Sequence, residues 1–181
     1  GVWNELDNVA NSSWYKATDG TWLYKKSDGT LASDGVVNIS GTNYLFDWHG
    51  HLVTNDTLNG YYANKDGIVV TNKWIKTTAY SDESDEQKNQ YWIYAGADGS
   101  LAENEKLTID GVAYIFDSNY QMVTNSKYSA DYLEYYLDAN GLIAVNKWNK
   151  DTDGSWIYSK ADGTLAKSET LTIGNVKYTF D

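Results

Sequence analysis

A short stretch in which aromatic and aliphatic residues alternate with polar ones recurs three times along the chain. The first copy, TWLYKKSDGTLA, occupies residues 21–32, and the others occupy residues 90–102 and 155–166. Alternation with a period of two predicts a β-strand that carries its Trp and Tyr on one face, and the Asp-Gly pair that follows predicts a tight turn. The tryptophans of the three copies lie at positions 22, 92 and 156. Self-similarity on this scale predicts a repeat architecture.

Three kinds of predicted hairpin alternate along the chain. The A hairpin opens with a Trp and carries a Trp-x-Tyr pair on its second strand. The B hairpin carries Tyr-x-Phe-Asp after a glycine-containing turn, and the C hairpin carries a Tyr-Tyr pair. The order A-B-C-A-B-C-A-B gives about eight hairpins. The A hairpins cover about 14–33, 73–104 and 147–168, the B hairpins 37–47, 107–117 and 171–181, and the C hairpins 60–67 and 134–141.

Isolated hairpins are barely stable in water, so these hairpins are predicted to stack on their neighbours. Aligning the second strands on their turn glycines places the large rings of A and B hairpins on opposite strand faces. The expected organisation is one repeat module over 14–181, preceded by the tail of a truncated repeat in 1–13. Because the chain begins without Met and ends in a strand pattern, we expect it to be a piece of a longer protein. The superrepeats are about 14–72, 73–146 and 147–181.

The composition narrows the possible functions. The aromatic residues are 16 Tyr, 8 Trp and 3 Phe, which favours rings with a polar edge suited to half-wet surfaces. The chain has no Cys, which excludes disulfides, zinc-thiolate sites and cysteine nucleophiles. A net charge of −11 disfavours nucleic acid as a partner. No apolar run is long enough for membrane insertion.

The repeated pattern Trp-x-Tyr, Asp-Gly-x-Leu-Ala, Ile-x-Gly-x-x-Tyr-x-Phe-Asp resembles the cell-wall-binding repeat superfamily of Gram-positive bacteria. This superfamily includes choline-binding repeats, glucan-binding repeats of glucansucrases and receptor-binding repeats of clostridial toxins. The resemblance covers residues 14–181. It implies an all-β solenoid of stacked β-hairpins, each rotated by about a third of a turn, so that one A-B-C superrepeat makes one turn. It also implies a secreted or cell-surface location and a non-catalytic module that holds an enzyme or toxin on a polymer.

The resemblance also implies where a ligand binds, because choline-binding members trap the trimethylammonium group between rings of consecutive repeats. Complete cages are expected only where a C hairpin meets the next A hairpin, around Tyr62 with Trp74 and around Tyr136 with Trp148. The exposed A-hairpin pairs alone suit stacking on a sugar ring. The predicted ligand-binding residues are Trp14, Trp22, Tyr24, Tyr62, Trp74, Trp92, Tyr94, Tyr136, Trp148, Trp156 and Tyr158.

Three functions stay open at this point. The first is binding of cell-wall or glucan polysaccharide, the second is a choline-specific wall anchor, and the third is a structural or adhesive spacer whose rings are all buried. Glycoside hydrolysis ranks far below these, because the carboxylates Asp28, Asp66, Asp98 and Asp162 precede turn glycines, where turn chemistry explains them. We therefore expect no catalytic activity and no cofactor.

Other features are expected to be structural. The B-hairpin Tyr/Phe pairs are predicted to be core. Asp47, His49 and His51 contain the right atoms for a metal, but the other B copies lack the histidines, so no metal site is expected. The acidic stretch 82–86 has neither the spacing nor the glycine of a known calcium loop, and a solvated loop is favoured there.

Overall fold

The computed structural model describes residues 12–79 and 89–181. Within these ranges sixteen strands form eight antiparallel hairpins, each a separate two-stranded sheet, and there is no helix. No described helix could therefore cross a membrane. The acidic stretch 82–86 lies outside these ranges, as does the predicted tail 1–13 except for its last two residues. The strands are β1 (Ser13–Lys16), β2 (Trp22–Lys25), β3 (Gly35–Ile39), β4 (Thr42–Phe46), β5 (Asp56–Leu58), β6 (Tyr61–Ala63), β7 (Lys73–Ala79), β8 (Asn89–Ala95), β9 (Glu105–Ile109), β10 (Val112–Phe116), β11 (Ser126–Ala130), β12 (Leu133–Leu137), β13 (Lys147–Lys150), β14 (Trp156–Ser159), β15 (Thr170–Ile173) and β16 (Val176–Thr179).

The hairpins follow the predicted order, with A, B and C alternating from β1–β2 to β15–β16. B and C hairpins close through two residues with positive φ, such as Ser40 at 51° and Gly41 at 88°. This geometry matches the right-handed twist of paired strands, and it explains the Ser-Gly, Asn-Gly and Asp-Gly pairs of the sequence. The all-β fold of repeated hairpins is confirmed.

A residue in the left-handed conformation precedes every hairpin after the first, with φ between 47° and 61°. Its amide donates to a carbonyl at the far end of the same hairpin, as Asn55 N does to Asn64 O at 3.1 Å. Asn and Asp tolerate this conformation better than most residues, which explains why five of the seven are Asn. These joint residues are Asp34, Asn55, Asn72, Asn104, Asn125, Asn146 and Ser168.

The chain divides into two compact units, which are described separately. The first holds residues 1–73 and 95–101, and the second holds residues 74–94 and 102–181. In the first unit, the segments after Gly50 and Gly67 each donate a backbone hydrogen bond to the preceding hairpin. Leu52 N bonds Trp22 O at 2.8 Å, and Val69 N bonds Asn43 O at 2.9 Å. In the second unit Met122 N bonds Trp92 O at 2.8 Å in the same way. Stacking therefore follows one local rule.

The turn glycines carry a second constraint besides their positive φ. A Cβ on Gly67 would lie 2.4 Å from side-chain atoms of Leu52 in the preceding hairpin. A Cβ on Gly141 would lie 2.7 Å from the sulfur of Met122. The turns thus press onto an apolar residue of the hairpin before them. Gly41, in a hairpin connection, has no atom within 4 Å of the corresponding position.

The cores are small and recur with the repeats. In the first unit Ala32, Ile39 and Phe46 form one buried cluster. In the second unit Ala102, Ile109 and Phe116 form its counterpart. Phe46 and Phe116 are fully buried, which confirms that these two B-hairpin phenylalanines are core residues.

Candidate ligand-binding grooves

The Trp that opens each A hairpin is the centre of a cluster of four rings. Trp14 lies 5.0 Å from Tyr24, 4.9 Å from Tyr44 and 5.8 Å from Phe46, measured between ring centroids. Most of these contacts are tilted or edge-on, the arrangements that aromatic quadrupoles favour. The opening Trp is half-buried, so it serves the core and also keeps one part of its ring accessible.

The same cluster forms twice in the second unit with nearly identical spacing. Trp74 lies 5.2 Å from Tyr94, 4.9 Å from Tyr114 and 5.7 Å from Phe116. Trp148 lies 5.1 Å from Tyr158, 4.9 Å from Tyr178 and 5.8 Å from Phe180. The repeat therefore preserves side-chain geometry as well as strand order.

The strand alignment places the large rings of A and B hairpins on opposite strand faces, but in the structure these rings meet in one cluster. Tyr24 lies on an A strand and Tyr44 on the following B strand, yet both rings contact Trp14. The position of a residue along a strand decides only which face of its own hairpin the ring lies on. Because the facing sides of two successive hairpins meet at Trp14, rings from opposite strand faces share one cluster.

The first Trp of each Trp-x-Tyr pair remains accessible. Trp22 is 44%, Trp92 40% and Trp156 64% exposed. A lysine on the neighbouring strand approaches two of these rings. Lys16 Nζ lies 5.8 Å from the Trp22 ring centroid, and Lys76 Nζ lies 5.9 Å from that of Trp92. In the third A hairpin, Lys150 stands directly opposite Trp156 in the strand register.

A groove of about 330 Å³ lies beside the first ring cluster. Trp14 and Trp22 of the A hairpin form its wall, and Tyr44 and Leu52 of the B hairpin complete it. Lys65 and Asp66, whose side chains pair at 2.8 Å, lie at its polar end in the C-hairpin turn. The first groove is therefore built by three successive hairpins of one unit. Its lining residues are Trp14, Trp22, Tyr44, Leu52, Thr54, Lys65 and Asp66.

A second groove of about 270 Å³ has the same construction in the second unit. Its apolar lining consists of Trp74, Trp92, Tyr114 and Met122, and Asn140 supplies the C-hairpin contribution. Met122 follows Trp92 by the same thirty residues that separate Leu52 from Trp22. A residue thirty positions after Trp156 would fall beyond residue 181, so the given sequence holds no equivalent of Leu52 for Trp156. Trp156 is the most exposed of the three tryptophans.

The structure distributes the predicted ligand-binding residues over different environments. Trp14, Trp22, Trp74 and Trp92 line the two grooves. The second rings of the A pairs, Tyr24, Tyr94 and Tyr158, instead pack against the opening tryptophans.

The C-hairpin tyrosines of the predicted cages, Tyr62 and Tyr136, line neither of the two grooves. Tyr62 is half-buried in the first unit, where burial and then the charge of Asp56 raise the pKa of its hydroxyl. In the second unit the ring partners of Trp148 are Tyr158, Tyr178 and Phe180, and Tyr136 is not among them. Tyr136 thus makes no direct ring contact with Trp148 among the described residues, and a ligand cage around the two rings stays a prediction.

Two kinds of groove residue are missed by the sequence prediction. The sequence places Tyr44 and Tyr114 in the core, yet each is half-buried and lines a groove beside an exposed Trp. The apolar residues two positions after a turn, Leu52 and Met122, also belong to the lining. Their equivalent spacing from the exposed Trp is the signal that could have revealed them.

Turn carboxylates behave as turn chemistry predicts. Asp28 Oδ1 accepts hydrogen bonds from the Thr30 hydroxyl at 2.6 Å and the Thr30 amide at 2.9 Å. These bonds, the hydroxyl bond first, lower the pKa of Asp28. Ser100 and Thr164 donate the same pair of hydrogen bonds to Asp98 and Asp162, and these bonds lower the pKa of both carboxyl groups. These three carboxylates therefore stabilise turns.

Comparison with known proteins places these features in context. No protein-family profile matches the chain. The chain is 29% identical over 163 residues to Glucosyltransferase-S of Streptococcus mutans serotype c, which covers 86% of this chain and 10% of that protein. It is 26% identical over 180 residues to Glucosyltransferase-I of Streptococcus downei, which covers 96% and 9%. The chain thus spans about a tenth of the length of these relatives.

A solved structure with a similar fold is the choline-binding domain of CbpL from Streptococcus pneumoniae. Its TM-score is 0.61 and its identity 24%, and the match covers 94% of each chain. At this identity the likeness concerns the fold. The described residues form a β-hairpin repeat module with recurring aromatic grooves. Sequence and fold together fit the cell-wall-binding repeat superfamily of Gram-positive bacteria, which confirms the resemblance predicted from the repeats.

Proposed function

We propose that this chain is a non-catalytic module that attaches a secreted or surface protein to cell-wall or glucan polysaccharide. The observation that carries the proposal is the recurrence of one groove, with Trp14, Trp22 and Tyr44 in the first unit and Trp74, Trp92 and Tyr114 in the second. Equivalent sites suit a polymer whose own units repeat. The superrepeats 14–72, 73–146 and 147–181 are then successive binding repeats.

The grooves have the chemistry that a sugar ring needs. The accessible faces of Trp22 and Trp92 can stack on the apolar C–H face of a pyranose. Lys65 and Asp66 in the first groove, and Asn140 in the second, supply polar groups for the hydroxyls. Each single contact is weak, but simultaneous contacts on one polymer raise the avidity by about 10²–10⁴.

The lysines favour a neutral or anionic ligand over choline. A trimethylammonium group binds to the electron-rich face of an aromatic ring. The exposed Trp ring of each groove already has a lysine ammonium about 6 Å from its centroid, Lys16 at Trp22 and Lys76 at Trp92. A second cation on the same ring would be repelled by the first. A neutral sugar carries no such penalty, so polysaccharide is the main function and a choline anchor the alternative.

The sequence relatives are enzymes, and the chain corresponds to about a tenth of each. We assign to this chain a binding role beside a catalytic part of a longer protein. The carboxylates of Asp28, Asp98 and Asp162 accept hydrogen bonds from hydroxyls and amides of their own turns, Asp66 pairs with Lys65, and the two histidines share one turn. None of these groups is arranged as an acid and base on either side of a groove.

The test is a titration of the purified chain with dextran, starch, purified Gram-positive cell wall and choline, followed by tryptophan fluorescence. Saturable binding to one of the polymers supports the proposal. Saturation by choline alone selects the choline anchor, and silence with all four selects the spacer. Trp92→Ala should weaken polymer binding, whereas Trp48→Ala should not, because Trp48 is 74% exposed and lies outside both grooves.

A further inference from the structure

One turn of the first unit gathers three metal-ligating side chains on a rigid frame. Asp47 Oδ1 accepts hydrogen bonds from the amides of His49 and His51, both at 2.8 Å. The same frame recurs in the second unit, where Asp117 Oδ1 accepts from Asn119 at 2.8 Å and Gln121 at 2.9 Å. The carboxylate of Asp47 is therefore positioned by the fold, independently of any ion.

The other oxygen of Asp47 faces two imidazoles. Asp47 Oδ2 lies 3.3 Å from His51 Nδ1 and 4.0 Å from His49 Nδ1. One ligand atom from each residue lies within 4.8 Å of the other two. A tetrahedral metal with bonds of about 2.0–2.1 Å holds its ligand atoms about 3.3–3.4 Å apart. The Asp47–His51 pair already has this spacing, and the other two pairs must close by about 1.5 Å or less to match it.

The side chains are free to make this adjustment. The His49 side chain is 51% exposed, that of His51 37% and that of Asp47 29%. The histidine side chains can rotate without displacing core residues, and a metal can reach all three ligands from solvent. The net charge of −11 also attracts cations to the chain.

We propose that Asp47, His49 and His51 bind a divalent transition metal of the zinc class. Two imidazoles and one carboxylate select Zn²⁺, Ni²⁺ or Cu²⁺ over Mg²⁺ and Ca²⁺, which prefer oxygen ligands only. Three protein ligands leave a coordination position for water or for an oxygen of a bound molecule. The sequence alone predicts no metal, because the histidines occur in one copy only. The folded turn nevertheless brings the three ligands together.

The chain supplies its own matched control for this site. The equivalent turn has Asn119 and Gln121 in place of the two histidines, on the same hydrogen-bonded frame. The double variant His49→Asn/His51→Gln therefore carries residues that this turn accepts. The reverse variant, Asn119→His/Gln121→His, should create a second site.

The experiment is isothermal titration of the untagged chain with ZnCl₂, with MgCl₂ as the comparison, supported by thermal unfolding with and without Zn²⁺. We expect one equivalent of Zn²⁺ that the double variant loses, with an affinity reduction of at least about tenfold and no loss of melting temperature in the metal-free state. The reverse variant should bind one further equivalent. Zinc binding that is equal in the wild type and the double variant would overturn the proposal, as would the absence of saturable binding in the wild type. A reverse variant that gains no equivalent would overturn the claim that the turn geometry makes the site.

Quenching by Ni²⁺ gives a second readout in the same proteins. The Trp48 ring contacts that of His49, with centroids 3.3 Å apart, so a metal at this turn should quench Trp48 fluorescence. The quenching should disappear in the double variant. Equal quenching in both proteins would place the metal elsewhere on the chain.

Discussion

Lys127 and Asp151 form an ion pair between two hairpins of the second unit. Lys127 Nζ lies 2.7 Å from Asp151 Oδ2, and the Asp151 side chain is only 4% exposed whereas that of Lys127 is 50% exposed. The hydrogen bond from Lys127, followed by that from the Thr152 amide, lowers the pKa of Asp151. The pair thus fixes the β13–β14 turn to the strand that carries Lys127.

This pair makes part of the stability depend on pH. Because the folded-state pKa of Asp151 is lowered, its contribution is complete well above the unfolded value of about 3.9 and is lost as the pH falls through the lower folded value. Asp151→Asn should therefore reduce the free energy of unfolding at pH 7. The difference from wild type should shrink as the pH drops below about 4. Urea unfolding at both pH values measures it, and a difference that stays constant would show that the charge is irrelevant.

The close contact of Gly67 with Leu52 predicts a large effect of one methyl group. Gly67→Ala meets both a positive φ and the Leu52 side chain, whereas Gly41→Ala meets only a positive φ. We expect a loss of about 1–2 kcal/mol for Gly41→Ala and about 2–5 kcal/mol for Gly67→Ala. Thermal or urea unfolding provides the comparison.

The companion change is Leu52→Ala, which makes room for the added methyl. The double variant should lose less free energy of unfolding than the sum of the losses in the two single variants. Simple additivity would show that Leu52 does not cause the effect.

Burial and accessibility predict opposite outcomes for two rings of the second unit. Phe116 is fully buried, so Phe116→Ala should destabilise the chain by about 3–5 kcal/mol. Trp92 is 40% exposed, so Trp92→Ala should cost less stability but weaken polymer binding about tenfold or less, the loss of one ring contact. Unfolding and retention on the polymer should be measured on the same samples. A collapse of stability in Trp92→Ala with normal binding would make that ring a core residue.

Removing the lysine near Trp92 should change which ligand the groove accepts. Lys76→Met takes the ammonium away from the Trp92 ring, so the affinity for choline should rise about two- to fivefold while that for a neutral oligosaccharide does not rise. Fluorescence titrations with both ligands measure the ratio. Lys106→Met is the control, because Lys106 lies 4.7 Å from the ring of Tyr135, outside the groove. The same ratio in both variants would exclude a local effect of Lys76.

The order of the hairpins and the burial of Phe46 and Phe116 could be predicted because each depends on local pattern alone. Period-two alternation, turn pairs and repeated motifs are properties of one hairpin at a time. The exposure of Trp22, Trp92 and Trp156 follows from the same pattern within one hairpin, although whether they contact a ligand does not.

The roles of Tyr44 and Tyr114 could not be predicted in this way. The place of each tyrosine on its own strand predicts a core residue, but the groove depends on how that strand meets the preceding A hairpin. The same applies to Leu52 and Met122, which read as ordinary apolar residues after a turn until their backbone bonds to Trp22 and Trp92 are seen. The sequence pattern of a single hairpin does not show how that hairpin packs against its neighbours.

Each groove draws its lining from three consecutive hairpins, so under the proposed function no single hairpin would carry the recognition properties of a site. The C-hairpin turn contributes Lys65 and Asp66 to one groove and Asn140 to the other. Under the proposed function, a change in that turn should therefore alter the ligand preference of the tryptophans that begin the same triplet. Recombination that moves one hairpin between proteins would therefore mix two specificities. The proposed unit of specificity is therefore the A-B-C triplet, and exchanges at triplet borders should be the ones that transfer a site intact.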